Sequence, residues 1–305
     1  MKDLFLFVIY YLAIPAALAQ VDVLVLGNVQ DAGSPHPGCQ KDCCADLWLN
    51  PDPNRRVVSL GVIDRNREQT YLIEATPDLP AQLDYLHSKL QFDHGILPDA
   101  IFLTHAHIGH YTGLMYLGRE GLGTKGVDVY AMPRMKTFLE LNGPWSQLVA
   151  LRNIELHELD AGSKTKLSHY LQVTPILVPH RDEYSETVGY LIKGQEKTML
   201  FIPDIDKWYR WETDIRELVK EVDYALLDAS FYADGEIPRD IGEIPHPFVV
   251  ESMALFDELS DRDRNKIWFI HLNHTNPLLD SDSEESSEVQ RKGYHVARLG
   301  DSFRL

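Results

Sequence analysis

Thr104-His105-Ala106-His107-Ile108-Gly109-His110-Tyr111-Thr112-Gly113 is the stretch around which the rest of the chain is organised. Ala100-Ile101-Phe102-Leu103 ahead of it is apolar, and Leu114-Met115-Tyr116-Leu117 behind it is amphipathic. A short buried strand therefore leads into a turn carrying three histidines, and a helix starts behind them. His105 and His107 alternate on an extended backbone, and His110 follows about one helical turn later. Imidazoles so placed can converge on one cation, and neutral imidazole is the commonest ligand for Zn²⁺ and similar ions. The plainer alternative is that the histidines only cap and solvate a loop. Their spacing directly behind a buried strand favours the metal.

The remainder of the chain must supply a scaffold for that turn. With 305 residues, 44% of them hydrophobic, it is long enough for a large buried core. A net charge of −17 argues against a non-specific nucleic-acid binder, which needs basic patches to offset phosphate charge. A small-molecule substrate held by a metal remains compatible with it. Lys2, the apolar run from Leu4 to Ala16 and the small-x-small pattern Ala17-Leu18-Ala19 read as a secretory leader over residues 1–19, removed before Gln20. The expectation is an exported protein, periplasmic or secreted, with one domain over residues 20–305. No other stretch is long and apolar enough to cross a membrane.

All the cysteines, Cys39, Cys43 and Cys44, lie in one loop. A disulfide-stapled exported domain would carry an even set spread along the chain. Three clustered thiols look more like ligands of a structural zinc, its fourth ligand coming from elsewhere. One disulfide with a spare thiol is the alternative.

The strand-then-ligand pattern recurs. Ile176-Leu177-Val178-Pro179 leads into His180, Phe201-Ile202-Pro203 into Asp204, and Trp268-Phe269-Ile270 into His271. Any one of these alone is weak; together with the histidine turn they describe ligands arrayed at strand ends of a layered scaffold. Runs of strands interrupted by helices predict two sheets packed face to face with helices outside.

This order of elements resembles the metallo-β-lactamase superfamily over nearly the whole chain after the leader. The superfamily motif H-x-H-x-D-H, a single His, a bridging Asp and a last His match His105, His107 and His110, then His180, Asp204 and His271. The resemblance implies an α/β, four-layer αββα sandwich with metals at one edge. It implies His105, His107 and His180 on a first metal, and Asp204, His110 and His271 on a second. The motif's Asp is Gly109 here, so the second site is expected to be weaker or rebuilt, with Asp206 or Asp228 as substitutes. Within the superfamily the chain looks closest to the pyrroloquinoline quinone biosynthesis protein B group, through Val25-Leu26-Gly27 with its glycine loop and cysteine cluster, Asn142-Gly143-Pro144-Trp145-Ser146, and His271-Leu272-Asn273-His274-Thr275-Asn276-Pro277. That group lacks much of the histidine motif, so its retention points to an active hydrolase relative and away from that pathway step. Resemblance to the phosphoribosyl cyclic phosphodiesterases of the superfamily implies a structural zinc on Cys39, Cys43, Cys44 and His274, with His36 as a rival ligand.

The resulting expectation is a metal-dependent hydrolase. One or two catalytic ions would activate water for attack on an ester-type bond such as a phosphodiester or lactone. Zn²⁺ is the leading candidate, and Mn²⁺ and Fe²⁺ suit the same mixed His/Asp set. Asp204 is the expected base, with His110 beside it. Arg181, Glu183, Tyr184, Trp145, Asn142 and His246 are candidate substrate contacts, and Glu74 and Asp78 candidate outer partners of the metal histidines. The competing reading is a non-catalytic metal- or ligand-binding protein, favoured by the missing Asp.

Overall fold

The computed structural model describes residues 20–237 and 244–305; the expected leader and Pro238 lie outside them. Strands β1 (Val21–Gly27), β2 (Ser59–Asp64), β3 (Gln69–Ile73), β4 (Ala100–Phe102), β5 (Val127–Ala131) and β6 (Ile154–Glu158) build the first sheet. Strands β7 (Thr165–Lys166), β8 (Gln172–Leu177), β9 (Val188–Lys193), β10 (Thr198–Ile202), β11 (Tyr224–Asp228), β12 (Ile267–Ile270) and β13 (His295–Val296) build the second. The last strand, β14 (Ser302–Arg304), returns to the first sheet beside β1.

Period-two alternation explains the stacking. Val21, Val23 and Val25 of β1 join Met199 and Phe201 of β10 in the core between the sheets. Leu24 and Leu26 face the other way, onto the helix Leu79–Ser88. Leu200 and Ile202 of β10 likewise turn outward, onto the helices Ile215–Glu221 and Val249–Phe256. Each central strand is covered on both faces, which is why its sequence reads as a continuous apolar run. The result is helix, sheet, sheet, helix: the expected four layers. Among the described residues no helix is long and apolar enough to cross a membrane.

The helix behind the histidines is shorter than its pattern predicts. It runs only from Ile108 to Tyr111 and tightens into a 3₁₀ segment over Thr112–Leu117. Gly113 is the cause. Its N–H donates to the Ala75 carbonyl at 2.8 Å, and a Cβ there would fall 2.0 Å from the Thr76 oxygen. The turn is thus pressed against the exit of β3, an approach only glycine permits.

Candidate metal centre

The exits of β1, β3, β4, β8, β10, β11 and β12 share one edge of the sandwich, because β1, β3 and β4 run in the same direction and so do β8, β10, β11 and β12. Carboxyl ends of such strands are where layered folds collect ligands. Here they carry, in that order, Asp31, Glu74, the three motif histidines, His180, Asp204 with Asp206, Asp228 and His271.

Four side chains form a first donor set. His105 Nε2 lies 2.9 Å from His107 Nδ1, and His180 Nε2 lies 3.3 Å from the same atom. Asp204 Oδ2 stands 3.3 Å from His105 Nε2, 3.2 Å from His180 Nε2 and 3.9 Å from His107 Nδ1. Tetrahedral bonds of about 2.0–2.1 Å place neighbouring ligand atoms about 3.3 Å apart. These donors have that spacing.

A second set adjoins it. His110 Nε2 lies 2.9 Å from Asp31 Oδ1 and 3.8 Å from Asp204 Oδ2, while His271 Nε2 lies 4.0 Å from Asp31 Oδ1. Asp204 Oδ2 thus serves both sets. Asp31 Oδ1, His110 Nε2 and His271 Nε2 are shielded from solvent and have no hydrogen-bond partner among the described residues. Buried polar atoms are seldom left so, and donors turned toward one point fit a cation.

Asp31 accounts for Gly109. A Cβ on residue 109 would lie 2.4 Å from both Asp31 Cα and Asp31 Oδ1. The carboxylate missing from the turn arrives instead from the loop after β1, and the glycine is what lets that loop approach. Of the substitutes expected from the sequence, Asp206 braces a ligand, while Asp228 lies with Asp204, His246 and His271 in a further group whose donor atoms fall within 4.8 Å of one another. Asp206 Oδ1 lies 3.2 Å from His180 Nδ1 and its other oxygen accepts from Arg210. Asp228 accepts from Ser230 and the Ile205 N–H. Asp31 follows β1 after Asn28-Val29-Gln30, too far past the strand end for the strand-then-ligand signal to mark it.

The other nitrogens of His105, His107, His180 and His271 find hydrogen-bond partners, while His110 Nδ1 has only a close carboxylate and no hydrogen bond among the described residues. His105 Nδ1 donates to Thr104 Oγ1, which donates to Glu74. His110 Nδ1 lies 3.2 Å from Glu74 Oε1. His107 Nε2 pairs with Glu183 at 3.1 Å, and His271 Nδ1 donates to Ser230 Oγ at 2.9 Å. Such outer partners fix the ring and its tautomer, which solvated loop histidines would not need. Glu183, read from the sequence as a substrate contact, is one of these partners. Asp78 is not: it accepts from the Val57 N–H at 2.8 Å. Glu74 and His271 both adopt left-handed backbone, with φ of 78° and 65°. That conformation costs a non-glycine residue about 1–3 kcal/mol and concentrates at functional sites.

The electrostatics follow. Burial alone would raise the Asp31 and Asp204 carboxyls, but the surrounding imidazoles override it and hold both well below the usual range. Burial alone would depress His180, yet Asp204 and Asp206 lift it to about 9. His105 goes the other way: burial, with His110 adding to it, keeps it neutral. A histidine raised from about 6.5 contributes stability that is complete below that pH and lost as pH climbs through its folded value. The depressed carboxylates contribute stability above about pH 4 that is lost only in acid. The metal-free chain should therefore melt at progressively lower temperature as pH rises from about 6.5 to about 9. Ion binding needs deprotonated imidazole, so the loaded chain should gain thermal stability over the same range. Melting curves of chelated and loaded protein check this; parallel curves would refute it.

The cysteine loop forms a separate cluster. Cys39, Cys43, Cys44 and His274 bring donor atoms within 4.8 Å of one another, and all three thiols are free. The Cys39–Cys43 and Cys43–Cys44 sulfur separations are 3.8 and 3.9 Å. Tetrahedral bonds to sulfur of about 2.3 Å imply about 3.8 Å. His36 is not a member: its ring stacks on His274 at 4.3 Å, and its N–H points at Cys44 Sγ.

Against the cysteine cluster opens a cleft of about 860 Å³, lined by Cys39, His274, Lys41, Arg181, Phe231 and His246 among others. His246, buried, places Nδ1 2.8 Å from Asp228 Oδ2 and 3.1 Å from Asp204 Oδ1. Burial opposes its protonation, but these carboxylates raise it well above the ordinary range. Tyr184, Trp145 and Asn142 lie elsewhere. Tyr184 is exposed and packs on Phe138, Trp145 packs between Tyr111 and Phe138, and Asn142 donates to the Phe138 carbonyl. Their motif is a helix junction on the outer face of the first sheet, so its aromatic content reflects packing.

A family model described as β-lactamase superfamily domain matches residues 69–272. Coenzyme PQQ synthesis protein B of Methylorubrum extorquens (strain PA1) is 25% identical over 91% of this chain and 98% of its own length. The fold is shared with Zn²⁺-bound PqqB from Methylobacterium extorquens, at a TM-score of 0.77 and 22% identity over 93% of this chain and 100% of that one. It is shared also with a diphosphatase from the PhnP family, at 0.65 and 22% over 94% and 97%, and with the short form of human tRNase Z, at 0.55 and 15% over 92% and 98%.

Proposed function

The chain belongs to the β-lactamase superfamily domain family, and from that premise we propose that it is a metal-dependent hydrolase acting on an ester-type bond, phosphodiester or lactone, of a small molecule. The observation that carries this reading is a pair of adjoining donor sets with Asp204 Oδ2 reaching both, the second of them leaving Asp31 Oδ1, His110 Nε2 and His271 Nε2 buried without a hydrogen-bond partner among the described residues. His105, His107, His180 and Asp204 would hold one ion, and Asp31, His110, His271 and Asp204 the other. Zinc suits the spacing of the first set, and the carboxylate-richer second set also suits Mn²⁺ or Fe²⁺. The Zn²⁺-bound relative and the neighbours named as a diphosphatase and a tRNase support the reading.

Such ions supply Lewis acidity and lower the pKa of water from about 15.7 to about 7. The chain's own residues do the rest. Asp31 gives the attacking water an acceptor in place of the missing motif Asp. His246 lines the cleft with Nδ1 against Asp228 and Asp204, and is placed to give a proton to a leaving oxygen. Arg181, on the cleft wall, can meet an anionic part of the substrate.

Asp31 removes the main support for a non-catalytic role, since the second set keeps its carboxylate. The relatives' name, coenzyme PQQ synthesis protein B, raises a role in cofactor assembly, but a leader over residues 1–19 would carry this chain out of the cytoplasm. Mass spectrometry of the mature protein, expected to begin at Gln20, tests that part. The activity is tested by loading the protein with Zn²⁺ or Mn²⁺, counting ions, and assaying a chromogenic phosphodiester, a carboxylic ester and a lactone. Turnover of at least one, abolished in His107→Ala, is expected. No turnover of any, with a loaded site, would sink the enzyme reading and leave a binding protein.

A further inference from the structure

Two of the second-set ligands are chain neighbours of the cysteine cluster. Asp31 and Cys39 lie on one loop, and His271 and His274 on another. The loops are stitched together at one end, where the Gln30 N–H donates to the Leu272 carbonyl at 2.9 Å and the Leu272 N–H to the Asn28 carbonyl at 2.7 Å. Beyond that stitch the first loop is weakly held. From Gln30 to Cys39 only Ser34 is buried, and the segment has no helix or strand. Its hydrogen bonds to the rest of the described chain beyond the stitch are few: Arg55 to Ser34 Oγ, the His36 backbone N–H to Cys44 Sγ, and, at the cysteine end, Trp48 Nε1 to the Cys39 carbonyl and the Cys39–Cys43 sulfur contact. The far end is closed by the cysteine cluster, with His36 stacked on His274.

We propose that an ion on Cys39, Cys43, Cys44 and His274 acts as a clamp on this loop, and that occupancy of the second donor set depends on it through Asp31. The inference rests on the two-ion reading above. His110 is carried on its own short turn with Glu74 3.2 Å away, and His271 is held by Ser230, whereas among the described residues Asp31 has no partner other than the ligands it would join. A segment with so few buried contacts opens at little cost once one end is released. The first set, on the exits of β4, β8 and β10, has no ligand on either loop and should not respond. Linkage makes the effect reciprocal: an ion on the second set should tighten the cysteine site by the same factor.

The test counts ions by mass spectrometry in wild type, Cys43→Ser and His274→Asn after dialysis, and repeats the loading with Co²⁺. Thiolate charge-transfer bands report the cysteine site, and ligand-field bands the His/Asp sets. Expected is a wild type with both His/Asp ions and the thiolate ion. The variants should keep the first-set ion, lose the thiolate ion, and bind the second-set ion about 10- to 100-fold more weakly. Variants that lose only the thiolate ion would overturn the clamp. Unfolding of both variants would overturn it too, because the ion would then hold the whole fold and not one carboxylate. A wild type without two ions on the His/Asp sets would instead overturn the reading on which the clamp rests.

Discussion

Asp204→Asn is expected to empty both His/Asp sets. One oxygen of this buried carboxylate lies within 3.9 Å of inward nitrogens on His105, His107, His110 and His180, so among the described residues it is the donor that reaches both sets. The amide preserves shape and removes the charge. In the metal-free chain that charge also balances imidazoles, since Asp204 is held ionised by His180 and His246 despite burial. Removing an outer partner of a metal ligand costs about 10–100-fold in affinity or activity, and loss of a direct ligand should cost at least the upper end of that. With both sets affected, turnover should fall by roughly 10⁴-fold. The cysteine cluster shares no residue with either set and should keep its ion. Metal analysis therefore separates this result from general unfolding: thiolate ion retained, His/Asp ions absent. A variant that keeps one His/Asp ion at wild-type affinity would show that Asp204 does not bridge.

What the sequence reveals of this arrangement depends on where each residue lies. Strands covered on both faces announce themselves as apolar runs, and a His or Asp directly after such a run inherits a defined position from the strand. His105, His107, His180, Asp204 and His271 were legible for that reason. Asp31 leaves its strand by way of an irregular loop, and its position is set by a close approach to Gly109 that no periodicity encodes. His246 precedes a helix and follows no apolar run in the sequence, so nothing local marks its approach to Asp204 and Asp228. Glu183 and Tyr184 are adjacent and equally polar-looking in sequence, yet one braces His107 and the other packs on Phe138. The aromatic side of Asn142-Gly143-Pro144-Trp145 was visible, but whether aromatic residues pack a helix junction or line a cleft is decided by the tertiary fold.

The glycine that stands where the family motif has Asp provides the second large effect. Gly109→Ala should remove the second-set ion without touching any ligand. The added Cβ would meet Asp31 Cα at 2.4 Å, a backbone atom that no rotamer change can move aside. The loop after β1 must withdraw, and its sparse anchoring makes that cheaper than unfolding. Asp31→Asn removes the same ligand directly, so each variant should lower turnover at least about 100-fold while sparing the first-set ion. Because both act on one carboxylate, the double variant should be no worse than either single one, a strong departure from additivity. Gly109→Asp separates geometry from ligation. It displaces the loop as alanine does, but it returns a carboxylate to the place where the family motif has one. It should therefore retain second-set metal that Gly109→Ala loses. Equal ion counts for the alanine and aspartate variants, or additive losses in the double variant, would show that Asp31 and residue 109 do not alternate as sources of the same ligand.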